Sequence, residues 1–346
     1  MSYDVYYATG GGSYVGGGAD VWVNNWVKYI YPKLDYPSKL CIHRSRPGAQ
    51  IDRIEERQTT DISTDCVEVW AGDNLDLFNE TIKNARRVHI LHGYYTPHKI
   101  LEEVKDKIYS NVVHVSTQES LYAGLRLNLD PLKHYAASED WEQKVNNWAK
   151  HKIWIGINKT PLHDKFDMID IPNFYEFKYN KELVDSDVVG FASRIETRKA
   201  PHFIEGIDSI AFTNPYDFTW WKNNFPHKFE KTKLVTFRPN RMHSFFNRED
   251  WGISHSCFVK EPFGYSIFQS VDYGKIPILY TDWCKDFDYP YRAESVEDFK
   301  IMVGTLKDTL YTLKNEILKE LRYYLTKHYD NRENWVNGYL SIYNDN

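Results

Sequence analysis

Residues 261–277 read EPFGYSIFQSVDYGKIP, and they carry more than an ordinary amphipathic helix needs. An acid, Glu261, precedes a Pro-Phe-Gly turn, a mostly apolar stretch contains the amide Gln269, and Gly-Lys-Ile-Pro ends the segment. The pattern predicts a helix over 264–273 and a buried strand over 276–280. If this helix forms, Glu261 and Gln269 are expected to point into one cleft; the alternative is a surface acid and a surface amide.

Short apolar runs alternate with helical patterns along the chain, which is typical of βαβ units and a mostly parallel sheet. Strands are predicted at 3–8, 39–43, 67–70, 88–91, 112–116 and 152–156, with helices at 18–30, 75–85, 97–108 and 138–150. A second series follows Pro172-Asn173, with strands at 188–192, 209–213, 234–237, 256–259 and 276–280 and helices at 199–208, 264–273 and 295–328.

These two series predict an α/β protein with two Rossmann-like, doubly wound domains that face a central cleft. The domains are expected to cover residues 1–170 and 171–325. A final amphipathic helix within 326–346 is expected to pack back toward the first domain. Ligands of doubly wound sheets bind at the carboxyl ends of the strands, so we expect the site in the cleft.

Composition narrows the classes of function. No apolar run approaches the roughly 18–20 residues that span a bilayer, and the N-terminal segment lacks the basic and apolar regions of a signal peptide. The four cysteines are scattered without a CxxC pair, so we expect a cytoplasmic protein with reduced thiols. The net charge of −5 gives no overall attraction to nucleic acid or membranes, and a DNA partner would need a local basic patch.

A glycine-rich loop, TGGGSYVGGGAD at residues 9–20, follows the first predicted strand and opens a helix. Glycines let a backbone approach a ligand closely, and a helix N-terminus favours a phosphate. The loop is neither a clean GxGxxG pattern nor a Walker loop, and a flexible turn is the alternative. We expect Gly16, Gly17 and Gly18 to contact a ligand.

Two cations follow the strand predicted at 188–192. Arg194 stands in the turn and Lys199 opens the next predicted helix. At the carboxyl end of a strand, these cations are placed to hold a diphosphate and to stabilise its charge as it leaves. The alternative is a solvated run of charges.

Together, these stretches resemble the retaining glycosyltransferases of the GT-B fold, of the large family-4 type. The resemblance rests on the glycine loop, the spacing of Arg194 and Lys199, Glu261-Pro262-Phe263-Gly264 and Gly274-Lys275-Ile276-Pro277, with Pro172-Asn173 at the start of the second domain. Two features depart from the family. Gln269 replaces its second acid, and a longer turn separates Gly190 from Arg194.

The resemblance implies roles for these residues. The first domain would bind the acceptor, and the second would bind a nucleotide-sugar, in our interpretation a UDP-sugar, without a further cofactor or metal. Arg194 and Lys199 would hold the donor diphosphate, Glu261 would lie against the transferred sugar, and Gln269 would bind the ribose. Phe263, Gly264 and Tyr265 would complete the donor site with the glycine loop. The Asp-x-Asp triplets at 185–187 and 286–288 are interpreted as chance occurrences.

A catalytic group from the first domain is expected near the strand at 112–116. His114 lies inside the predicted strand, Thr117 and Gln118 follow it, and His92 ends an earlier strand. We predict a catalytic role for His114 and acceptor binding by His92, Thr117 and Gln118. The residues alone do not choose among them, and a packed strand histidine is an equal alternative for His114.

A more distant resemblance links the chain to bacteriophage glucosyltransferases that modify hydroxymethylated bases in DNA. It rests on compact length, the Arg-to-Lys spacing and the Gly-x-Ile-Pro ending. It implies that Arg44 and Arg46 contact phosphates of double-stranded DNA. Further candidates for this surface are Arg86, Arg87, Trp22, Trp26, Trp70, Tyr94 and Tyr95. A solvated loop is the alternative for HRSRP at 43–47.

Two other functions stay open. One is a cytoplasmic glycosyltransferase for a cell-surface polysaccharide or lipid-linked glycan, although Lys28 is the only basic residue of the helix at 19–30. The other is a non-catalytic nucleotide-sugar-binding protein, which has less need of leaving-group cations. A phage protein would act in the host cytoplasm.

Overall fold

The protein is described by a computed structural model, which covers residues 2–9, 18–43, 67–92, 99–114, 143–193, 199–213, 215–224, 229–237, 241–259 and 261–345. Two sheets organise this part of the chain, and neighbouring strands pair in parallel in both. The first has seven strands in the order β3-β2-β1-β4-β5-β6-β7, and the second has six in the order β10-β9-β8-β11-β12-β13. Both orders reverse direction beside the first strand of the sheet, as in doubly wound folds.

The strands of the first sheet are β1 (Asp4–Thr9), β2 (Ser38–His43), β3 (Val67–Trp70), β4 (Arg87–His92), β5 (Ile108–Val113), β6 (His151–Trp154) and β7 (Met168–Asp170). Those of the second sheet are β8 (Val189–Ala192), β9 (Ser209–Thr213), β10 (Thr232–Thr236), β11 (Ile253–Ser256), β12 (Ile276–Tyr280) and β13 (Arg292–Ala293). Residues 171–188 connect the sheets without a helix or strand of their own.

The helices are α1 (Gly18–Tyr29), α2 (Leu75–Lys83), α3 (Lys99–Glu103), α4 (Leu162–Lys165), α5 (Pro215–Asn224), α6 (Met242–Phe246), α7 (Tyr265–Asp272), α8 (Val296–Asp308), α9 (Tyr311–Tyr329) and α10 (Arg332–Tyr343). Residues 143–148 are also helical. Among the helices of the described ranges, none combines the length and apolar character needed to cross a bilayer.

Several predicted boundaries were wrong because buried polar residues interrupt the apolar pattern. β5 begins at Ile108, four residues before the predicted strand, and contains Ser110 and Asn111. Both are buried yet satisfied, since Ser110 bonds His89 at 3.0 Å and Asn111 donates to Asn146 at 2.8 Å. Hydrogen-bonded polar groups can occupy a core strand at little cost.

The helix predicted over 199–208 is a single 3₁₀ turn, Pro201–Ile204. Ala200 before the turn has φ +47° and Gly206 after it has φ +69°, so left-handed backbone bounds the turn on both sides. Lys199 itself has 3₁₀ geometry and is separated from this turn by Ala200, so it does not open an α-helix. The strand predicted over 256–259 is likewise wrong, because β11 ends at Ser256.

The last helix, α10, packs on the core of the first sheet. Its buried Trp335, Tyr339 and Tyr343 share one hydrophobic cluster with Trp22 and Trp26 of α1. The rings of Trp22 and Tyr339 are 5.6 Å apart at 65°, an edge-on geometry that favours aromatic pairs. Trp22 and Trp26 are therefore core residues, and the prediction that they form a stacking surface for DNA is wrong.

Arg86 and Arg87 are also used inside the first domain. Arg86 Nε donates to Asp4 Oδ1 at 3.0 Å, and Arg87 Nη2 donates to Asp4 Oδ2 at 2.8 Å. Burial of Asp4 opposes ionisation, but the nearby His89 ring, with Nε2 at 3.8 Å from Oδ2, and the hydrogen bonds from both arginines outweigh it and hold the pKa of Asp4 well below its usual value. The two guanidinium groups balance a buried charge, which counts against their prediction as a DNA-binding surface.

Candidate functional site

The site is built where two adjacent strands of the second sheet end. β8 and β11 pair directly, with Ile253 opposite Val189. The chain leaving β8 carries Lys199, and the chain leaving β11 carries Glu261. Because the carboxyl ends of parallel strands lie at one edge of a sheet, the two side chains meet there.

Lys199 Nζ donates a hydrogen bond to Glu261 Oε2. The two side chains are only 11% and 13% exposed, and the ammonium also lies 4.5 Å from the centre of the Phe258 ring. A largely buried charge needs a partner of opposite sign, and Lys199 and Glu261 provide such a partner for each other. The arrangement holds one cation and one carboxylate together at the edge of the second sheet.

The turn that carries Glu261 requires a glycine. Gly264 has φ +78°, and an added Cβ would lie 2.8 Å from Ile267 Cδ1 and 3.1 Å from Glu261 Cγ. Phe263 is buried and stacks on Phe268 with ring centres 4.4 Å apart, so its side chain supports the turn from inside the core. Pro262 accepts a 2.7 Å hydrogen bond from the Ile157 amide, which joins the turn to the first domain.

Helix α7 places Gln269 and Tyr265 behind this turn. The Gln269 Oε1 atom is buried and has no hydrogen-bond partner among the residues that the structure describes. Leaving a buried amide oxygen unpaired costs about 1–3 kcal/mol, so this atom is suited to accept from a ligand. Burial raises the pKa of Tyr265, and the nearby Asn25 side chain of α1 partly opposes that rise.

Two histidines lie at the carboxyl ends of adjacent strands of the first sheet. His92 is the last residue of β4, and His114 directly follows β5 instead of lying inside a strand as predicted. Their rings meet edge-on at 4.9 Å, and the His114 ring also contacts Trp22 at 4.9 Å. His114 Nε2 bonds the Leu91 carbonyl at 2.7 Å. A carbonyl only accepts, so Nε2 carries the proton and Nδ1 is left as an acceptor.

Burial, with a smaller contribution from His92, lowers the pKa of His114 from 6.5 to about 3. Below pH 6.5, His114 therefore binds a proton in the unfolded chain but stays neutral in the folded chain. The free energy of unfolding should fall by up to about 1.4 kcal/mol per pH unit from this residue alone. Urea unfolding at two pH values below 6.5 tests this, and His114→Gln should show a shallower pH slope than the wild type. If the wild type and His114→Gln lose stability equally as the pH falls, the lowered pKa of His114 would be contradicted.

A cavity next to Glu261 opens between the two domains. It is lined from both sides of the cleft, by residues after β6, β11 and β12 that include Asn158, Lys159, Thr160, Glu261, Asp282 and Lys285. Apart from Glu261, sequence reasoning missed these residues. Their position along the chain could have identified them, because the segments INKT and TDWCKDF both directly follow the carboxyl ends of predicted strands, where ligands of such sheets bind.

Arg292 fixes the loop that follows β12. Its guanidinium donates to the carbonyls of Trp283 at 2.6 Å, Phe287 at 2.8 Å and Thr281 at 3.1 Å. Burial lowers the pKa of Arg292, but five donors in a planar fork suit several carbonyls at once. The cavity wall formed by residues 281–287 is therefore held from behind by one side chain.

Several residues predicted to bind a ligand or DNA lie outside the described residues, namely Gly16, Gly17, Arg44, Arg46, Tyr94, Tyr95, Thr117, Gln118 and Arg194. Gly18 is described and begins α1. Within the described ranges, no group of three or more His, Cys, Asp or Glu residues is arranged to hold a metal ion.

No protein-family model matches the chain, and no curated protein matches it. Solved structures do share its architecture. It superposes on sucrose-phosphate synthase from Thermosynechococcus elongatus with a TM-score of 0.68 at 9% identity, covering 97% of each chain. The Anabaena protein HepE, solved in complex with UDP-glucose, gives 0.62 at 14% identity, covering 99% of this chain and 98% of that one.

A third similar structure is an alpha-glucosyltransferase in complex with UDP and a 13-mer DNA containing a central A:G mismatch. Its TM-score is 0.54 at 11% identity, and 99% of each chain is covered. Superposition over nearly the whole of each chain confirms the predicted GT-B fold of two doubly wound domains.

Proposed function

We propose that the protein is a retaining glycosyltransferase that moves a sugar from a UDP-sugar to a hydroxyl acceptor. The observation that carries the proposal is the Lys199–Glu261 pair at the carboxyl ends of β8 and β11. A doubly wound sheet binds its ligand at this edge, beside the strands where its order reverses. The similar structures with UDP-glucose, and with UDP and DNA, support the choice of donor.

Each residue of the pair then has a task in the reaction. The bond between the sugar and the diphosphate breaks as the acceptor oxygen bonds to the anomeric carbon from the same face, and the acceptor hydroxyl's proton passes to the leaving diphosphate oxygen. Lys199, joined by Arg194, stabilises the negative charge that develops on the diphosphate. Glu261 lies against the sugar, and the unpaired Gln269 Oε1 accepts from a ribose hydroxyl. Transfer requires no metal in this scheme because the cations carry the charge.

We propose a hydroxymethylated pyrimidine in duplex DNA as the acceptor. The base would leave the stack to enter the cleft, and Arg44 and Arg46 would hold flanking phosphates. We assign His114 to the acceptor side, where Nδ1, left as an acceptor by the bond of Nε2 to the Leu91 carbonyl, would receive a hydrogen bond from a substrate hydroxyl. On this scheme His114 orients a substrate and does not donate a proton.

A transfer assay tests the proposal. Purified protein receives UDP-glucose or other nucleotide-sugars, with hydroxymethylcytosine DNA, hydroxymethyluracil DNA, unmodified DNA or a glycan as acceptor. Sugar on a hydroxymethylated duplex and not on the unmodified duplex is the expected result. Transfer to the glycan alone would reject DNA as the acceptor but leave the proposed donor site intact. Binding of the nucleotide-sugar without hydrolysis or transfer would indicate a non-catalytic binding protein.

Gln269→Glu should keep turnover and change the Michaelis constant for the nucleotide-sugar. The carboxylate retains an acceptor for the ribose but loses the donor capacity of the amide. Steady-state kinetics with the donor varied would show this change. Abolished transfer with unchanged donor affinity would mean that Gln269 acts on something other than the donor.

A further inference from the structure

The cavity beside Glu261 carries two lysines that the donor site does not use. Lys159 belongs to the segment after β6 in the first domain, and Lys285 belongs to the loop after β12 in the second. Both are exposed, and neither forms an ion pair with any residue in the described part of the chain. Two cations from opposite domains therefore line one cavity.

We propose that this cavity binds a phosphate group of the acceptor, held by Lys159 and Lys285. The inference rests on the proposed function, since an acceptor hydroxyl must come close to Glu261 to reach the sugar. An ammonium group binds phosphate as a point charge with three donors, and it tolerates more than one geometry. The phosphate is either an internucleotide phosphate beside the modified base or a monoester on a sugar acceptor.

The walls of the cavity are fixed, so the lysines project from ordered backbone. Arg292 holds the loop of Lys285 through the carbonyls of Trp283 and Phe287. Trp283 also donates from its indole nitrogen to the Phe263 carbonyl at 3.2 Å. Across the cleft, the Asn158 side chain donates to the backbone carbonyl at position 282, which ties the segment of Lys159 to that loop.

The acidic residues of the cavity allow a test of whether the bound group is negatively charged. Glu261 is engaged by Lys199, so the other lining carboxylate is that of Asp282. If the cavity binds a phosphate, Asp282→Asn removes a like charge and should tighten binding. If it binds a neutral or cationic group, the same change should weaken binding or leave it unchanged.

The main variant is Lys159→Gln/Lys285→Gln, which keeps a polar side chain that can still donate hydrogen bonds and removes both charges. Calorimetry without donor would measure binding of three probes, namely a hydroxymethylcytosine duplex, a hexose phosphate and the free hydroxymethyl nucleoside. Affinity for a phosphate-bearing probe should fall about tenfold or more per lysine, while affinity for the nucleoside should not change. Lys319→Gln on the exposed face of α9 is the matched control and should bind like the wild type.

For the duplex, the log–log dependence of affinity on salt should become shallower by about 0.9 for each phosphate that the variant no longer neutralises. Preference for the duplex or for the hexose phosphate identifies the source of the phosphate. Wild-type protein that binds neither, or a double variant that binds both as the wild type does, would overturn the phosphate site. Phosphate binding that depends on the lysines, together with no sugar transfer to any acceptor, would instead reject the proposed function.

Discussion

Lys199→Ala should lower turnover by about 10²–10³-fold, the range seen when one preorganised donor to a developing anion is removed. The corresponding increase in the barrier is about 2.7–4 kcal/mol. Lys199 is placed for such an effect because it is held at the strand edge in a mostly buried setting, where charge interactions are screened little. Steady-state turnover with a UDP-sugar and the acceptor found in the transfer assay measures the effect.

Loss of stability needs to be separated from loss of catalysis in this experiment. Lys199→Ala leaves Glu261 largely buried without its partner in the pair, which is destabilising on its own. The variant Lys199→Met/Glu261→Gln removes both charges and should fold more stably than the single variant. Lys231→Ala, at an exposed lysine of the same domain, is the control for general effects.

If leaving-group stabilisation is the role of Lys199, the charge-free double variant recovers stability and stays inactive. Recovery of turnover in that variant would show that the two residues only balance each other's charge, and it would remove both Lys199 and Glu261 from the catalytic scheme. Turnover near the wild-type value in Lys199→Ala would remove the residue from the catalytic scheme altogether.

The sequence was most informative where a strand is uniformly apolar. β12 was predicted at its observed bounds because Ile276–Tyr280 is a short apolar run after a turn. β11 was misplaced because it reads Ile-Ser-His-Ser. Its polar groups are satisfied inside the domain, where Ser254 bonds Ser270 at 2.7 Å and His255 Nε2 bonds the Ala200 carbonyl at 3.0 Å. Tertiary partners of this kind are invisible in a local pattern.

Some residues of the candidate site could be predicted from the sequence, and others could not. Lys199 and Glu261 were found because each belongs to a motif with fixed spacing, although the fold brings them together from positions 62 residues apart along the chain. Lys159, Asp282 and Lys285 belong to no motif. Lys159 becomes a neighbour of the other two only when the two domains face each other, and that arrangement depends on contacts such as Ile157 with Pro262.

The Gly-Lys-Ile-Pro ending of the opening stretch sets the path from α7 into β12. Gly274 has φ +74°, and its carbonyl accepts from the Val184 amide at 2.8 Å. Lys275 is buried, donates to the Trp251 carbonyl at 2.9 Å and lies 4.6 Å from the Trp251 ring. Burial lowers the pKa of Lys275 to about 8. These residues attach the end of the helix to the connection between the domains and to β11, so their role is structural.

Gly274→Ala should therefore destabilise the protein by about 3 kcal/mol or more, because two costs coincide. The left-handed φ strains any residue with a Cβ, and that Cβ would lie 1.9 Å from the Glu182 carbonyl oxygen, a backbone atom that no rotamer change can move. The matched control is Gly304→Ala in α8, where a Cβ meets nothing within 4 Å, and there alanine should stabilise by about 0.5–1 kcal/mol. Thermal unfolding should place the first variant roughly 6–12 °C below the wild type and the second slightly above it. Equal midpoints for the two variants would show that the turn at Gly274 relaxes freely, and the structural role of the Gly-Lys-Ile-Pro ending would then be wrong.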